Sequence, residues 1–266
     1  MDCRFFSSRG RFTLVELLVV IGIIGILSAM LMPALGRAKM VAQSTDCKSN
    51  IRQIVAGNML YADTYHGYLA PYASDMMGAN KHRWHGSSEN TSNSGGANYD
   101  PAKGLLSEFI GTDGKINRCV SFITPDAVQA FEKGCGGYGY NTLVGTLAET
   151  WTSEAFASGY KLGLINASSR KIMFADSSIP IGKNGGWGND ILGYSSSIEA
   201  PGGDWLMYPT MHFRHLGKAN IGYCDGHVGD GPMISSHNNY DELWDLGHPC
   251  ENTNEMRDRY YRPRTK

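Results

Sequence analysis

The sequence lacks an excess of charge of either sign. Lys plus Arg total 24 and Asp plus Glu total 25, so 266 residues carry a formal net charge of −1. No basic surface is available to organise binding to nucleic acid, and none is expected as a partner. Cysteine is sparse: six residues in a chain this long are no miniature disulfide scaffold. The familiar catalytic signatures are missing, with no GxSxG elbow, no HExxH pair and no phosphate-binding Gly loop. Cys224 lies beside Asp225 and three residues from His227. A strand would point Cys224 and Asp225 to opposite faces, so the grouping is no nucleophile with a base. We expect no enzyme and no cofactor.

What is present excludes disorder. Hydrophobic residues make up 42% of the chain and aromatic residues 11%, enough for a core in a chain of this length. The 33 Gly imply many turns and loops. Long uncharged apolar runs are also missing, with one exception. Leu17 to Gly36, LLVVIGIIGILSAMLMPALG, holds no charged residue. At about 1.5 Å per residue, a helix of that length spans the roughly 30 Å hydrocarbon core of a bilayer. Arg4, Arg9 and Arg11 precede it and favour a cytoplasmic N-terminal side. The run is longer than the apolar core of a removable secretory signal. A plain signal anchor fits the length but gives no reason for Glu16 at its leading edge, where a carboxylate is costly.

Arg11-Phe12-Thr13-Leu14-Val15-Glu16-Leu17-Leu18-Val19-Val20-Ile21 resembles the N-terminal signature of type IV prepilins and type II secretion pseudopilins. The resemblance implies a basic leader over residues 1–11, cut by a membrane prepilin peptidase before a Phe that is then methylated. Phe12 would be the first mature residue, and Glu16 the assembly carboxylate retained in the apolar helix. Pro33 falls where members often carry a helix-bending Pro. A buried carboxylate needs a cation, and the N-terminal amine of a neighbouring subunit can supply it. Members usually carry Gly immediately before the cut, whereas here Arg11 separates Gly10 from Phe12. The spacing to Glu16 and Pro33 places the cut before Phe12, and the preference for Gly places it before Arg11.

Beyond Arg37, Val41, Ser44, Cys47, Ile51, Ile54, Val55, Met59 and Ala62 recur at near-helical spacing, with Arg37, Lys39, Lys48 and Arg52 on other faces. His66-Gly67 offers a stop. One helix is therefore expected from about Phe12 to Tyr65, its apolar half over 12–36 and its amphipathic half over 37–66, the latter docked on a head over 67–266. The head reads as α+β. Leu105, Leu106, Phe109 and Ile110 suggest a short helix. Lys171 to Asp176 looks like a buried strand. Ala219 to Cys224 alternates, with Ile221 and Tyr223 on one face, into an Asp225-Gly226 hairpin turn. Residues 78–101, with Trp84 between His82 and His85, and residues 182–204 read as long surface loops. The expected architecture is pilin-like: a long N-terminal helix packed on a small antiparallel sheet with long connections.

Cys47-Lys48-Ser49-Asn50-Ile51-Arg52-Gln53-Ile54, then Tyr61-Ala62-Asp63 and Gly67 to Pro71, resemble a bacterial subfamily of these proteins. His215, followed by nine residues and then Asp225-Gly226, resembles its prepilin-type H-X9-DG block, here within 212–230. Gly217, Asn220, His227 and Val228 fit the surroundings of that block. Cys119 and Tyr138-Gly139-Tyr140-Asn141 fit a third block, with Val120 where Pro commonly follows the Cys. His212, His215, Asp225 and His227 are conceivable zinc or calcium ligands, but zinc sites show tighter and more redundant spacing, and no metal is expected. In the plainer reading Asp225 builds the turn and His215 hydrogen-bonds across it.

Without the leader five Cys remain, so at least one thiol is unpaired within a subunit. Cys47 with Cys119, both in the subfamily blocks, is the favoured disulfide, and Cys119 with Cys135 the local competitor. The resemblance implies a single-pass inner-membrane subunit with its head in the periplasm, or outside the cell in a filament. Its partners would be membrane lipid, like pilin or pseudopilin subunits, the prepilin peptidase and the pilus or secretion assembly machinery. The alternative is a membrane-anchored binding or metal-dependent hydrolytic domain that uses the signal only for export.

Overall fold

The computed structural model describes residues 13–89, 99–116, 118–122, 134–147, 152–181, 191–200, 210–236, 245–250 and 254–263. Its first element, α1, is a helix over Leu14–Thr64, with Pro33 inside it. The helix ends as expected: His66 and Gly67 take positive φ (55° and 87°), and the Gly67 N–H closes on the Ala62 carbonyl at 2.7 Å. The chain divides into two compact units, Met1–Ala42 and Gln43–Lys266.

In the first unit the helix from Leu14 onward buries nothing. Its Leu, Val, Ile and Met side chains are all exposed, from Met40 at 42% to Leu14 at 86%. It is long and apolar enough to cross a membrane.

The second unit is α+β. After α1 come β1 (His82–Arg83), β2 (Gly86–Ser87), α2 (Ser107–Ile110), β3 (Tyr138–Asn141), α3 (Ser153–Phe156), β4 (Ile172–Asp176) and β5 (Ile179–Ile181). Then follow β6 (Ile191–Gly193), β7 (Ser197–Ile198), β8 (Met211–His212), β9 (Lys218–Tyr223), β10 (Val228–Pro232), β11 (Leu246–Gly247) and α4 (Asn254–Tyr260). The main sheet has the order β10-β9-β4-β3-β7. All its pairings are antiparallel except β3 with β7, which is parallel, so the expected antiparallel sheet is slightly mixed.

Both faces of that sheet are covered, which explains why Ala219 to Gly222 are continuously buried where alternation suggested one buried face. On one face lies the docked part of α1, through Cys47, Ile51, Ile54, Val55 and Ala62, packed with Tyr138, Tyr140 and Phe174. On the other, Ile172, Ala175, Ala219 and Ile221 pack against Met211, Phe213 and Tyr261. The register of β4 on β9 shifts between Ile172 and Phe174. Such a bulge re-aims successive side chains. Of the helical stripe read from sequence, Val41 is an exception and stays 53% exposed.

The segment over 78–101 is only partly the surface loop expected of it. Its β1–β2 hairpin carries Trp84 inward: the indole is fully buried, packs edge-on against Phe174 at 5.1 Å, and donates its N–H to the Ser196 carbonyl at 3.0 Å. A large aromatic ring beside two His reads as a polar loop in sequence, yet its burial stabilises the fold by several kcal/mol in order of magnitude. Residues 90–98 of that segment, and residues 182–190 and 201–204 of the other expected loop, lie outside the described residues; the rest of the second holds β6 and β7.

Helix and sheet come close at Gly222, where a Cβ would stand 2.5 Å from Val55 Cγ2 and 2.7 Å from Ile51 Cγ2. Gly222→Ala should therefore cost about 1–3 kcal/mol in urea unfolding through overpacking. Gly163→Ala, with open space around its Cβ, should change unfolding stability by less than about 0.5 kcal/mol.

Candidate functional site

Each unit holds one constellation of interest. In the first, Thr13 and Glu16 form a reciprocal cap at the start of α1. The Thr13 N–H and hydroxyl both donate to Glu16 Oε2 at 2.8 Å, and the Glu16 N–H donates back to Thr13 Oγ1 at 3.2 Å. This is a capping box, readable as T-x-x-E just before an apolar run, and sequence reasoning passed over it. Glu16 thus has a local role in a single chain besides the one implied by resemblance. Pro33 is exposed on the same helix, and Gly10, Arg11 and Phe12 lie outside the described residues.

The second constellation is a buried polar knot around Asp176, the last residue of β4 and fully buried. Asp176 Oδ1 accepts from Arg214 Nη2 at 3.0 Å, and Oδ2 accepts the Asn220 N–H at 2.7 Å. His215 Nε2 stands 3.5 Å from Oδ2. A carboxylate at this depth requires such partners. Arg214 spends its fork of donors here: Nη1 reaches the Ser177 carbonyl at 3.1 Å and His212 Nδ1 at 2.8 Å, and Nη2 also reaches the Gly137 carbonyl. Its Nε–H points at Cys119 Sγ at 3.4 Å, and its guanidinium lies over the Phe122 ring at 4.8 Å.

The remaining members come from far along the chain. Cys47, on α1, brings its sulfur to 2.9 Å from that of Cys119, and His215 Nε2 is 3.6 Å from Cys119 Sγ. The Asn50 amide, one turn along the helix from Cys47, donates to the Tyr138 hydroxyl at 3.2 Å. Ser44 exchanges hydrogen bonds with the Asn220 side chain at 3.2 and 3.5 Å. The helix therefore docks through polar as well as apolar contacts.

The electrostatics follow from these distances. Burial works against the charge of Arg214, but Asp176 and Cys119 more than offset it and its pKa is raised. Burial likewise opposes His215, yet Asp176 and Cys119 hold its pKa up at about 9, so it is a cation at neutral pH. The Cys119 thiol is pushed down by the hydrogen bond from Cys47 and by Arg214 and His215, while Cys47 is pushed up by that same hydrogen bond and by burial. His212 is held neutral by burial and by the neighbouring Arg214.

The H-X9-DG residues separate into two places. Leu216 and Gly217 both take positive φ (56° and 75°), and His215 and Lys218 exchange backbone hydrogen bonds across them at 3.0 and 3.1 Å. This tight turn feeds β9 and fixes His215 inside the knot. Asp225-Gly226 is the next turn, at the far end of β9. Six strand residues span about 20 Å, so His215 does not bond across the Asp225 turn as expected. Asp225 does build that turn, taking the His227 N–H at 3.2 Å and the His227 ring, with Gly226 at φ 95°. The conceivable ligands His212, His215, Asp225 and His227 are thereby divided between the two ends of one strand. Among the described residues, the potential metal-ligating atoms that do converge are those of Cys47, Cys119 and His215, within 4.8 Å of one another. Cys135 is buried in the same core. Comparison with family models, with curated proteins and with solved structures gives no match.

Two expectations follow. Asp176→Asn leaves the Arg214 guanidinium buried without its counter-charge and should lower unfolding stability by about 3–5 kcal/mol; Asp113→Asn, on the exposed Asp113–Lys115 pair, should leave the denaturation midpoint in place. Glu199 is another buried carboxylate. Burial raises its pKa to about 7 against the pull of Ser197, Thr142 and Arg257. An acid raised in the fold favours folding fully below its unfolded value near 4.5, and that advantage fades as pH rises toward 7. Glu199→Gln should flatten the pH dependence of stability between those values and be more stable than the parent at pH 8 by about 1–3 kcal/mol.

Proposed function

We propose that the chain is a structural pilin-like subunit. It is anchored in the inner membrane by the apolar part of α1, trimmed by a prepilin peptidase at residues 10–12, and assembled by helix packing into a pilus-like or secretion filament. The observation that carries this reading is the uninterrupted α1, apolar and exposed on every side from Leu14 to Leu35, with one carboxylate, Glu16, at its start. A helix of this kind requires lipid or like helices around it. Glu16 then exchanges its cap on Thr13 for the terminal amine of a neighbouring subunit.

The head supports a scaffold role. The Asp176 knot is sealed: Asp176, Cys47, Cys119 and His215 are buried, and the Arg214 side chain is 5% exposed. Its polar groups are spent on one another and on the backbone, as in a fold-specifying network. Each residue of Tyr138-Gly139-Tyr140-Asn141 also has a structural duty. Tyr140 donates to the Ala70 carbonyl and accepts from Asn58, and Asn141 ties Ile172 to Tyr261. A Cβ on Gly139 would stand 2.6 Å from the Ser197 carbonyl oxygen.

Because Glu16 has two roles, a pair of variants tests the reading. In full-length protein in its own membranes, Glu16→Ala should reduce cross-linked multimers at least tenfold while the head stays protease-resistant. Thr13→Ala removes the cap's other half but keeps the carboxylate, and should retain assembly. Equal loss in both variants would assign the effect to helix capping. Mass spectrometry of the mature N-terminus should find Arg11 or Phe12 first; an untrimmed Met1 in assembled material contradicts the proposal.

A further inference from the structure

We propose that Cys47 and Cys119 are a disulfide site that staples α1 to the head. The two sulfurs already face each other at 2.9 Å, inside non-bonded contact, across 72 residues of sequence. A bond requires them to approach to about 2.0 Å.

The alternative occupant of the same atoms is a metal ion, and the geometry argues against it. Two thiolates on one tetrahedral zinc, with Zn–S near 2.3 Å, stand about 3.7 Å apart. The Cys sulfurs are closer than that. With His215 the cluster offers three ligand atoms. The guanidinium of Arg214, whose Nε–H is directed at Cys119 Sγ from 3.4 Å, places a fixed positive charge where a cation would sit. Asp176 is already committed to Arg214 and to the Asn220 amide. A neutral disulfide leaves Asp176 and Arg214 paired, and with the Cys119 charge gone His215 loses one of the two partners that hold its pKa up.

The chemistry needs an oxidant from outside, a small or enzyme-borne disulfide RSSR. The Cys119 thiol gives its proton to solvent and, as the thiolate, attacks RSSR. The RS–SR bond breaks, one RS⁻ leaves, and Cys119 carries a mixed disulfide. Cys47 gives its proton to solvent and attacks Cys119 Sγ, and the second RS⁻ departs. Two thiols lose two electrons and two protons, and RSSR becomes two RSH. Cys47 and Cys119 are 0% and 1% exposed once docked, so this exchange precedes closure of the helix on the sheet. Formation in the cell rests on the export of the head proposed above; the geometry does not.

The test separates the two. The full chain, in detergent, is reduced, unfolded and refolded in a glutathione redox buffer, then denatured and alkylated with N-ethylmaleimide without reductant. Peptide mapping should find one cross-linked peptide joining Cys47 to Cys119, two fewer alkylated sites than in the reduced control, and loss of that cross-link in Cys47→Ser but not in Cys135→Ser. Free thiols at both positions, a Cys119–Cys135 cross-link, or stoichiometric zinc with both thiols retained would each overturn the site. The same map on protein trapped with the alkylating agent directly from native membranes should show the bond. A bond that forms on refolding yet is missing there would overturn its formation in the cell and count against export, while leaving the pairing geometry standing.

Discussion

The fold of the head depends on neutralising one carboxylate. Asp176 ends a fully buried strand, and a charge there is tolerable only because three segments converge on it. Arg214 and His215 arrive from the turn before β9, Asn220 from β9 itself, and Cys119 from the loop ahead of β3, through the same Arg214 and His215. Apolar packing alone would let these segments slide by a residue, since hydrophobic contact has no direction. A bidentate-capable cation with fixed donor geometry does not allow that slip.

The knot also gives the subfamily-like blocks a shared physical meaning. His215 and Asp225-Gly226 are a fixed distance apart because one strand connects them: the first is set by the Leu216-Gly217 turn, the second by the Gly226 turn. The nine-residue spacing is that of a strand with a turn at each end. It does not describe a pair of groups that meet. Cys47 and Cys119, distant in sequence, are the groups that meet.

Much of the architecture was legible because it rests on periodicity. The apolar run, the stop at His66-Gly67, the helix around Phe109, the buried strand ending in Asp176 and the hairpin at Asp225-Gly226 follow from local pattern and turn chemistry. What was not legible depends on long-range partners. Trp84 has a polar neighbourhood in sequence and finds Phe174 and Ser196 only in the fold. The role of Asp176 could not be read, because nothing local distinguishes it from a strand-ending surface Asp. Asn58 is a polar residue buried among mostly apolar neighbours on α1, and its duty toward Tyr140 and the Ala70 backbone lies in other elements. The Thr13–Glu16 box was local and readable, but the resemblance drew attention to Glu16 alone.

Cys47 is the first fully buried residue along α1, ahead of Ile51 and Ile54. That position has a mechanical meaning. In the anchored subunit proposed above, a load on the head passes through this helix, and a docked helix gives way most easily by peeling, one turn at a time, from the end where the load enters. Peeling here would begin at the turn that holds Ser44, Cys47 and Asn50. The polar bonds of that turn, and above all a covalent link there, block the first step of the zipper. The remaining contacts are then loaded together instead of in succession, which is how a small interface resists a large force.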